Sequence, residues 1–346
     1  MKMFLAKGVI LSLPAILWIA LVLAVDPFDY FNVSHFIPNE VKRQNAQEIN
    51  ELFFHVFREA NAPSANLLIG DSRTANLPID EIDKVTGQHY SLLTGNALKL
   101  NEAIDLFWLA NSYRKVENVY IGINFSMFNQ YAYADRVKAV GTIVANPLRY
   151  VFNRSTAQAL FNVVEASITQ KPVVNSAPPM SREDFWNYMV STRANEWYAK
   201  YKFPDDVYTK MKTMVEYARA NDINLVFIIV PHHVEFQNRL WDFGVIDEKV
   251  RFLEAMAALN AMVIDYDYVN EITLDKKNFL DPVHYGKAVG VLIADEVWTA
   301  QYKIGKVLNA NYVRHVSARE LGHRKPDALA AFSGSTPAAL KASLQR

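Results

Sequence analysis

Residues 67–73 read Leu67-Leu68-Ile69-Gly70-Asp71-Ser72-Arg73. The run from Ala65 to Ile69 is apolar without polar alternation, the pattern of a strand buried on both faces. It stops at a glycine and passes into polar residues, as a strand does when it ends in a turn. In a parallel α/β sheet, ligands bind beyond the carboxyl ends of the strands, which is where this reading puts Ser72. The tripeptide alone decides little, because Gly, Asp and Ser are also ordinary turn and helix-cap residues.

Four further short runs share that texture, at 89–93, 118–123, 224–230 and 261–266. Helical patterns lie between and after them, over 98–113, 204–221, 246–260 and 284–302. Such alternation predicts an α/β, flavodoxin-like three-layer sandwich with about five parallel strands. Residues 130–201 break the rhythm with aromatic and Arg-containing helical segments and with Pro147, Pro172, Pro178 and Pro179. They read as a helical insertion, either a cap on the sheet's C-terminal edge or a partner-docking subdomain.

Lys2 and Lys7 precede an uncharged run, 8–25, that ends at Asp26. Its length predicts an N-terminal transmembrane anchor, with 1–7 in the cytoplasm and the rest outside. The competing reading is a cleaved signal peptide, since Val22-Leu23-Ala24 fits a small-residue processing site. Both predict a bacterial inner-membrane or periplasmic, extracytoplasmic protein. Residues 26–62 read as a membrane-proximal helical linker, with Val41, Ile49, Leu52, Phe53 and Val56 at helical spacing. The main domain is expected over 63–306. The stretch 307–346, with Arg314, Arg319, Arg324 and Lys325, reads as a basic, Ala/Ser-rich and partly disordered tail. Thirty-six Lys plus Arg balance thirty-six Asp plus Glu, so no overall field points to nucleic acid. There is no cysteine, which removes disulfides, thiol nucleophiles and thiolate metal sites.

Two other strand ends carry chemistry. Val119-Tyr120-Ile121-Gly122-Ile123-Asn124-Phe125 puts an amide side chain on the same edge as Ser72. Asn124 there either closes an Asx-turn or donates to a developing oxyanion. Phe279-Leu280-Asp281-Pro282-Val283-His284-Tyr285-Gly286 places Asp281 and His284 three residues apart, directly before the last helix. That spacing suits a His that reaches the serine and an Asp that orients its ring. Asp-x-x-His is also a metal-ligand pair, but no second cluster has metal spacing, so neither metal nor cofactor is expected. Pro231-His232-His233 follows the fourth run, and a His there either contacts substrate or pairs with Glu235, so His232 and His233 are candidate substrate contacts or supports for the groups that are. Adjacent side chains of an extended segment point apart, so a shared metal is not expected. Arg73 either steers an anionic or sugar substrate or pairs with a nearby acid. Trp241, Tyr285, Phe128 and Tyr131 line a sugar cleft or belong to the core.

Taken in order, a serine after strand one, Gly95 after strand two, Asn124 after strand three and Asp281-x-x-His284 before the last helix form one pattern. It resembles the SGNH/GDSL hydrolase superfamily over about 65–300, with the insertion unmatched. The resemblance implies Ser72 as nucleophile, His284 as general base and Asp281 as its support. The Ser72 and Gly95 N–H groups and the Asn124 side chain would then form the oxyanion hole. Arg73 stands where many members have Leu, and Phe125 where many have Asp. With an N-terminal anchor, the chain is similar to envelope proteins of alginate O-acetylation and D-alanyl-lipoteichoic acid transfer. The resemblance thus implies a serine acyl esterase or O-acyltransferase acting on an extracytoplasmic glycan. A multi-spanning membrane acyltransferase is the implied partner. The alternative is a non-catalytic SGNH-like scaffold of a polysaccharide modification or export complex. A soluble lipase or thioesterase is disfavoured, because nothing requires such an enzyme to be tethered.

Overall fold

Five strands form at the apolar runs: β1 (Asn66–Gly70), β2 (Tyr90–Thr94), β3 (Asn118–Ile123), β4 (Asn224–Ile229) and β5 (Met262–Asp265). The computed structural model describes residues 2–173 and 180–313, with residues 2–10 as backbone only. The five strands pair in parallel in the order β2-β1-β3-β4-β5, the flavodoxin-like order. Three short strands have no apolar signature. β6 (Phe279–Asp281) and β7 (His284–Tyr285) make a separate antiparallel pair. β8 (Lys306–Val307) adds an antiparallel sixth strand beside β5.

Successive side chains of a strand point to opposite faces, so each strand feeds two cores. Leu67, Ile69, Val119, Ile121, Phe227 and Ile229 enter one, which also holds residues of helices Leu100–Tyr113 and Asp205–Ala220. Leu68, Tyr120, Val226, Ile228 and Ile264 enter the other, with residues of Ile79–Thr86 and Lys287–Thr299. The result is three layers, helix on sheet on helix.

The segment 26–62 is not a spacer that stands the domain off. Helix Glu51–Asn61 packs on β2 and buries Leu52, Phe53, Phe54, Val56 and Phe57. Helix Asn39–Ala46 packs on helix Arg154–Thr169 of the insertion. Between them Asp29 is paired with buried Lys42 at 2.6 Å and with Arg58 at 2.9 Å. An amphipathic pattern shows that a helix has a covered face, but not what covers it.

The run 8–25 lies in one helix, Lys2–Val25. Its last third belongs to the fold: Val22 and Val25 are core residues, and the Trp18 indole N–H donates to the Val151 carbonyl at 2.9 Å. Asp26 then turns the chain. Its fully buried carboxylate accepts from the backbone N–H groups of Tyr30, Phe31 and Asn32 and from the Tyr150 hydroxyl. Among the described residues, no helix is long and apolar enough to cross a membrane. Of the transmembrane anchor expected over 8–25, residues 18–25 are docked on the domain.

The insertion divides. Helices Arg136–Val144, Pro147–Val151 and Arg154–Thr169 support the N-terminal segment, while Arg182–Tyr188 and Ala194–Tyr198 lie toward the strand ends. The stretches 174–179, with Pro178 and Pro179, and 314–346, with most of the expected tail, lie outside the described residues.

Candidate active site

Ser72 follows β1, and the turn that carries it is pressed onto the sheet. Thr74 is fully buried against the ends of β1 and β3, where a Cβ on either Gly70 or Gly122 would run into its Oγ1. The glycines are there for that close approach. On the other side, Asn76 Nδ2 donates to the Tyr285 carbonyl at 3.0 Å. The Asn76 carbonyl occupies the space that a Cβ on Gly290 would need. The serine turn and the histidine loop, more than 200 residues apart in sequence, are thereby held together.

Asp281 shapes the histidine loop before it orients the ring. Its Oδ1 accepts the backbone N–H groups of Val283 at 2.9 Å and His284 at 3.0 Å. Its Oδ2 lies 2.7 Å from His284 Nδ1, and His284 Nε2 lies 2.8 Å from Ser72 Oγ. With a carboxylate facing Nδ1, the ring proton sits there and Nε2 presents a lone pair to the serine hydroxyl. Burial pushes the Asp281 carboxyl up, but the His284 hydrogen bond and charge and the two N–H groups outweigh it, leaving it below the usual range. The side chain of His284 is 27% exposed.

The loop is clamped from outside by the insertion. The Arg182 guanidinium donates to the carbonyls of Lys276 at 2.9 Å, Phe279 at 2.8 Å and Leu280 at 3.2 Å. Trp186 packs edge-on against His233, and its indole N–H donates to Glu235 at 2.6 Å. Arg182 and Trp186 escaped the sequence reading, because the insertion carries no pattern linking it to the loop. Their aromatic and Arg-containing context was the only available signal.

Beside Ser72 runs a buried chain of charges. The Arg73 guanidinium forks onto Asp71 and reaches His232 Nε2 at 2.7 Å. His232 Nδ1 faces Asp267 at 3.0 Å, and Lys249 meets the same carboxylate at 2.9 Å. Because Arg73 can only donate, Nε2 is an acceptor and His232 is neutral. Burial is the first cause of its lowered pKa, with the nearby Arg73 and Lys249 charges adding to it. Asp71 is also desolvated, yet Arg73's charge and hydrogen bonds hold its carboxyl below the usual range. Arg73 therefore belongs to a buried lock, not to a surface ion pair. Asp267 was missed, although it follows β5 on the same sheet edge as the other site residues.

The structure brings Ser72, His284 and Asp281 into one hydrogen-bonded line. Asn124 is fully buried next to them: its Nδ2 donates to Asp71 at 3.3 Å, and its Oδ1 accepts from Ser126 and Met127. Gly95 differs from expectation, since its N–H closes on the Gly70 carbonyl at 3.3 Å and extends the β1–β2 ladder. His232 and His233, expected at the accessible edge, are both only 3% exposed. His233 instead caps helix Val234–Asp242 through Nδ1. Phe128 and Tyr285 are core residues. Tyr131 is exposed and lines a 260 Å³ cleft with Arg73, Lys99, Asn129, Arg193 and Trp197. Compared with known proteins, the chain matches no family model and no curated protein.

Proposed function

We propose that the protein is an SGNH-type serine esterase or O-acyltransferase that acts on an envelope or exopolysaccharide glycan. It works at the extracytoplasmic face of a cell membrane, associated through helix Lys2–Val25. The observation that carries this is the line Ser72 Oγ, His284 Nε2, His284 Nδ1, Asp281 Oδ2, with steps of 2.8 and 2.7 Å. In this mechanism His284 takes the serine proton as Oγ attacks an ester carbonyl. The tetrahedral intermediate then expels the alkoxide, which receives that proton from His284, and an acyl-serine remains. Water or a glycan hydroxyl next gives up its proton to His284 and attacks the acyl carbon, and as the second intermediate collapses His284 returns that proton to the departing Ser72 Oγ. In this reading the hydrogen of Asn124 Nδ2 not given to Asp71 serves the oxyanion, and donors of this kind are worth about 3–4 kcal/mol in acyl transfer. An integral-membrane acyltransferase partner belongs to this reading as the source of the acyl group.

One observation favours a second reading, a non-catalytic SGNH-like subunit. The Gly95 N–H is spent on Gly70, and one hydrogen of the Asn124 amide is spent on Asp71. Hydrolysis of p-nitrophenyl acetate by wild type and by Ser72→Ala separates the two. Acetate release that needs Ser72, with an alkyl phosphonate labelling Ser72, supports catalysis. Wild type as inert as Ser72→Ala, and unlabelled, supports the scaffold.

A further inference from the structure

We infer that the turn between helices Pro147–Val151 and Arg154–Thr169, together with the free part of the N-terminal helix, docks into the headgroup boundary of an anionic phospholipid bilayer. The inference rests on the membrane-associated reading above but does not require a crossing helix.

Leu148 at 62%, Phe152 at 61% and Phe161 at 60% exposure are among the large apolar side chains of the insertion that face solvent, and Ile168 at 77% lies further along the second helix. Elsewhere the same two helices send Tyr150, Val151, Leu160 and Val163 into the core, so the outward set is not forced by a shortage of buried positions. Phe161 lies 6.2 Å from Trp18, ring centre to ring centre, and the Trp18 indole is bonded to the Val151 carbonyl. The residues around this turn thus meet the N-terminal helix at Trp18.

Beyond Trp18 that helix leaves the domain. Leu11, Leu13, Ile16 and Leu17 are all exposed, on a stretch that projects about 10 Å. Exposed apolar side chains of the insertion and of residues 11–17 thus flank the contact that Trp18 makes with Phe161 and Val151. The orientation of the helix is set by Asp26, whose carboxylate latches the helix end to Tyr150, the residue between Leu148 and Phe152. Exposed large apolar side chains grouped in this way, left uncovered by the chain's own core, mark an interaction surface.

Charge selects the occupant. Arg149 and Arg154 flank the tip, and among the described residues neither has a carboxylate within ion-pairing distance. The Arg149 guanidinium contacts only the neutral Thr142 hydroxyl at 3.1 Å. Glu165, one turn past Phe161 and exposed, marks the edge of the patch. Unpaired arginines beside exposed Leu and Phe, next to a Trp, match the layered chemistry of an anionic membrane surface.

The chain has no cysteine, so a single introduced thiol takes a label uniquely. Full-length protein carrying Phe152→Cys, Leu13→Cys or Val85→Cys is labelled with an environment-sensitive fluorophore. It is then mixed with vesicles of phosphatidylcholine and phosphatidylglycerol that contain shallow nitroxide lipids. Val85 is exposed on a helix packed on the opposite face of the sheet and serves as the water-facing reference. Blue shift and nitroxide quenching at positions 152 and 13, but not at 85, are expected. Arg149→Gln with Arg154→Gln should weaken binding roughly tenfold to thirtyfold on phosphatidylglycerol vesicles. Quenching at position 13 alone overturns the docking, leaves the membrane-associated reading standing and reserves the face for a protein partner. Quenching at neither position overturns both.

Discussion

Arg73 Nη1 lies 2.7 Å from His232 Nε2, and both side chains are almost wholly buried. The contact joins Asp71, one residue before the nucleophile, to Asp267, just past the end of β5, the strand beside β4. Removing Arg73 would leave two buried groups without their donor. Arg73→Met is expected to cost about 3–5 kcal/mol, measured as the shift of the urea midpoint at constant slope. Arg73→Lys should recover only part of that, because an ammonium cannot fork onto Asp71 and reach His232 together. A loss under about 1 kcal/mol for Arg73→Met would show that the lock is not a stability element.

Asp281 has two roles on its two oxygens, and Asp281→Asn separates them. An amide keeps an oxygen for the Val283 and His284 N–H groups but turns its NH2 toward Nδ1, forcing the wrong tautomer on His284. The expected loss in kcat on p-nitrophenyl acetate is about 10³–10⁴-fold, with a melting temperature close to wild type. Full activity in Asp281→Asn would remove the orienting role.

Thr74 shares its space with Gly70 and Gly122. Gly122→Ala should cost about 1–3 kcal/mol by overpacking, and should lower activity by lifting the serine turn. Thr74→Ala removes the obstacle, and its Oγ1 has no hydrogen-bond partner to lose. The double variant is expected to be more stable than the sum of the single changes by about 1 kcal/mol or more. Strict additivity in denaturant titrations would contradict the packing account.

His55, 10% exposed beside Glu51, is held down to about 4 by burial and by the Arg58 charge. A histidine with a depressed folded pKa stabilises fully above its unfolded value of about 6.5, and that stability drains as pH falls toward the folded value. The contribution is about 3 kcal/mol across this window. Asp265, pushed up to about 6 by burial, has the opposite sign, since its folded form holds a proton that the unfolded form has lost. The measurement is therefore the difference between wild type and His55→Gln in urea titrations from pH 7 to pH 4. The wild-type curve should be steeper, and parallel curves would refute the assignment.

Much of the site was legible because strand ends and loops are local. The apolar run before Gly70 fixed where a strand stops, and stopping there exposes Ser72 whatever the rest of the chain does. Asn124 and the Asp281–His284 pair were readable for the same reason. Gly95 was not, because whether an amide is free depends on which carbonyl the adjacent strand offers. His232 and His233 looked accessible because they follow a strand, and their burial came from Trp186, Phe236 and Asp267, which are brought in from other elements.

What the sequence determined by itself was the order of strands and helices and the candidates for nucleophile, base and acid. These come from hydrophobic periodicity and turn chemistry, which act over a few residues. What only the tertiary structure decided was whether those groups meet, and what covers the amphipathic helices. Ser72 and His284 approach to 2.8 Å because Asn76 and Gly290 lock two distant loops together. The segment 26–62 became part of the domain because the insertion and β2 cover its apolar side. Such contacts depend on shape complementarity between remote segments, and no local pattern encodes it.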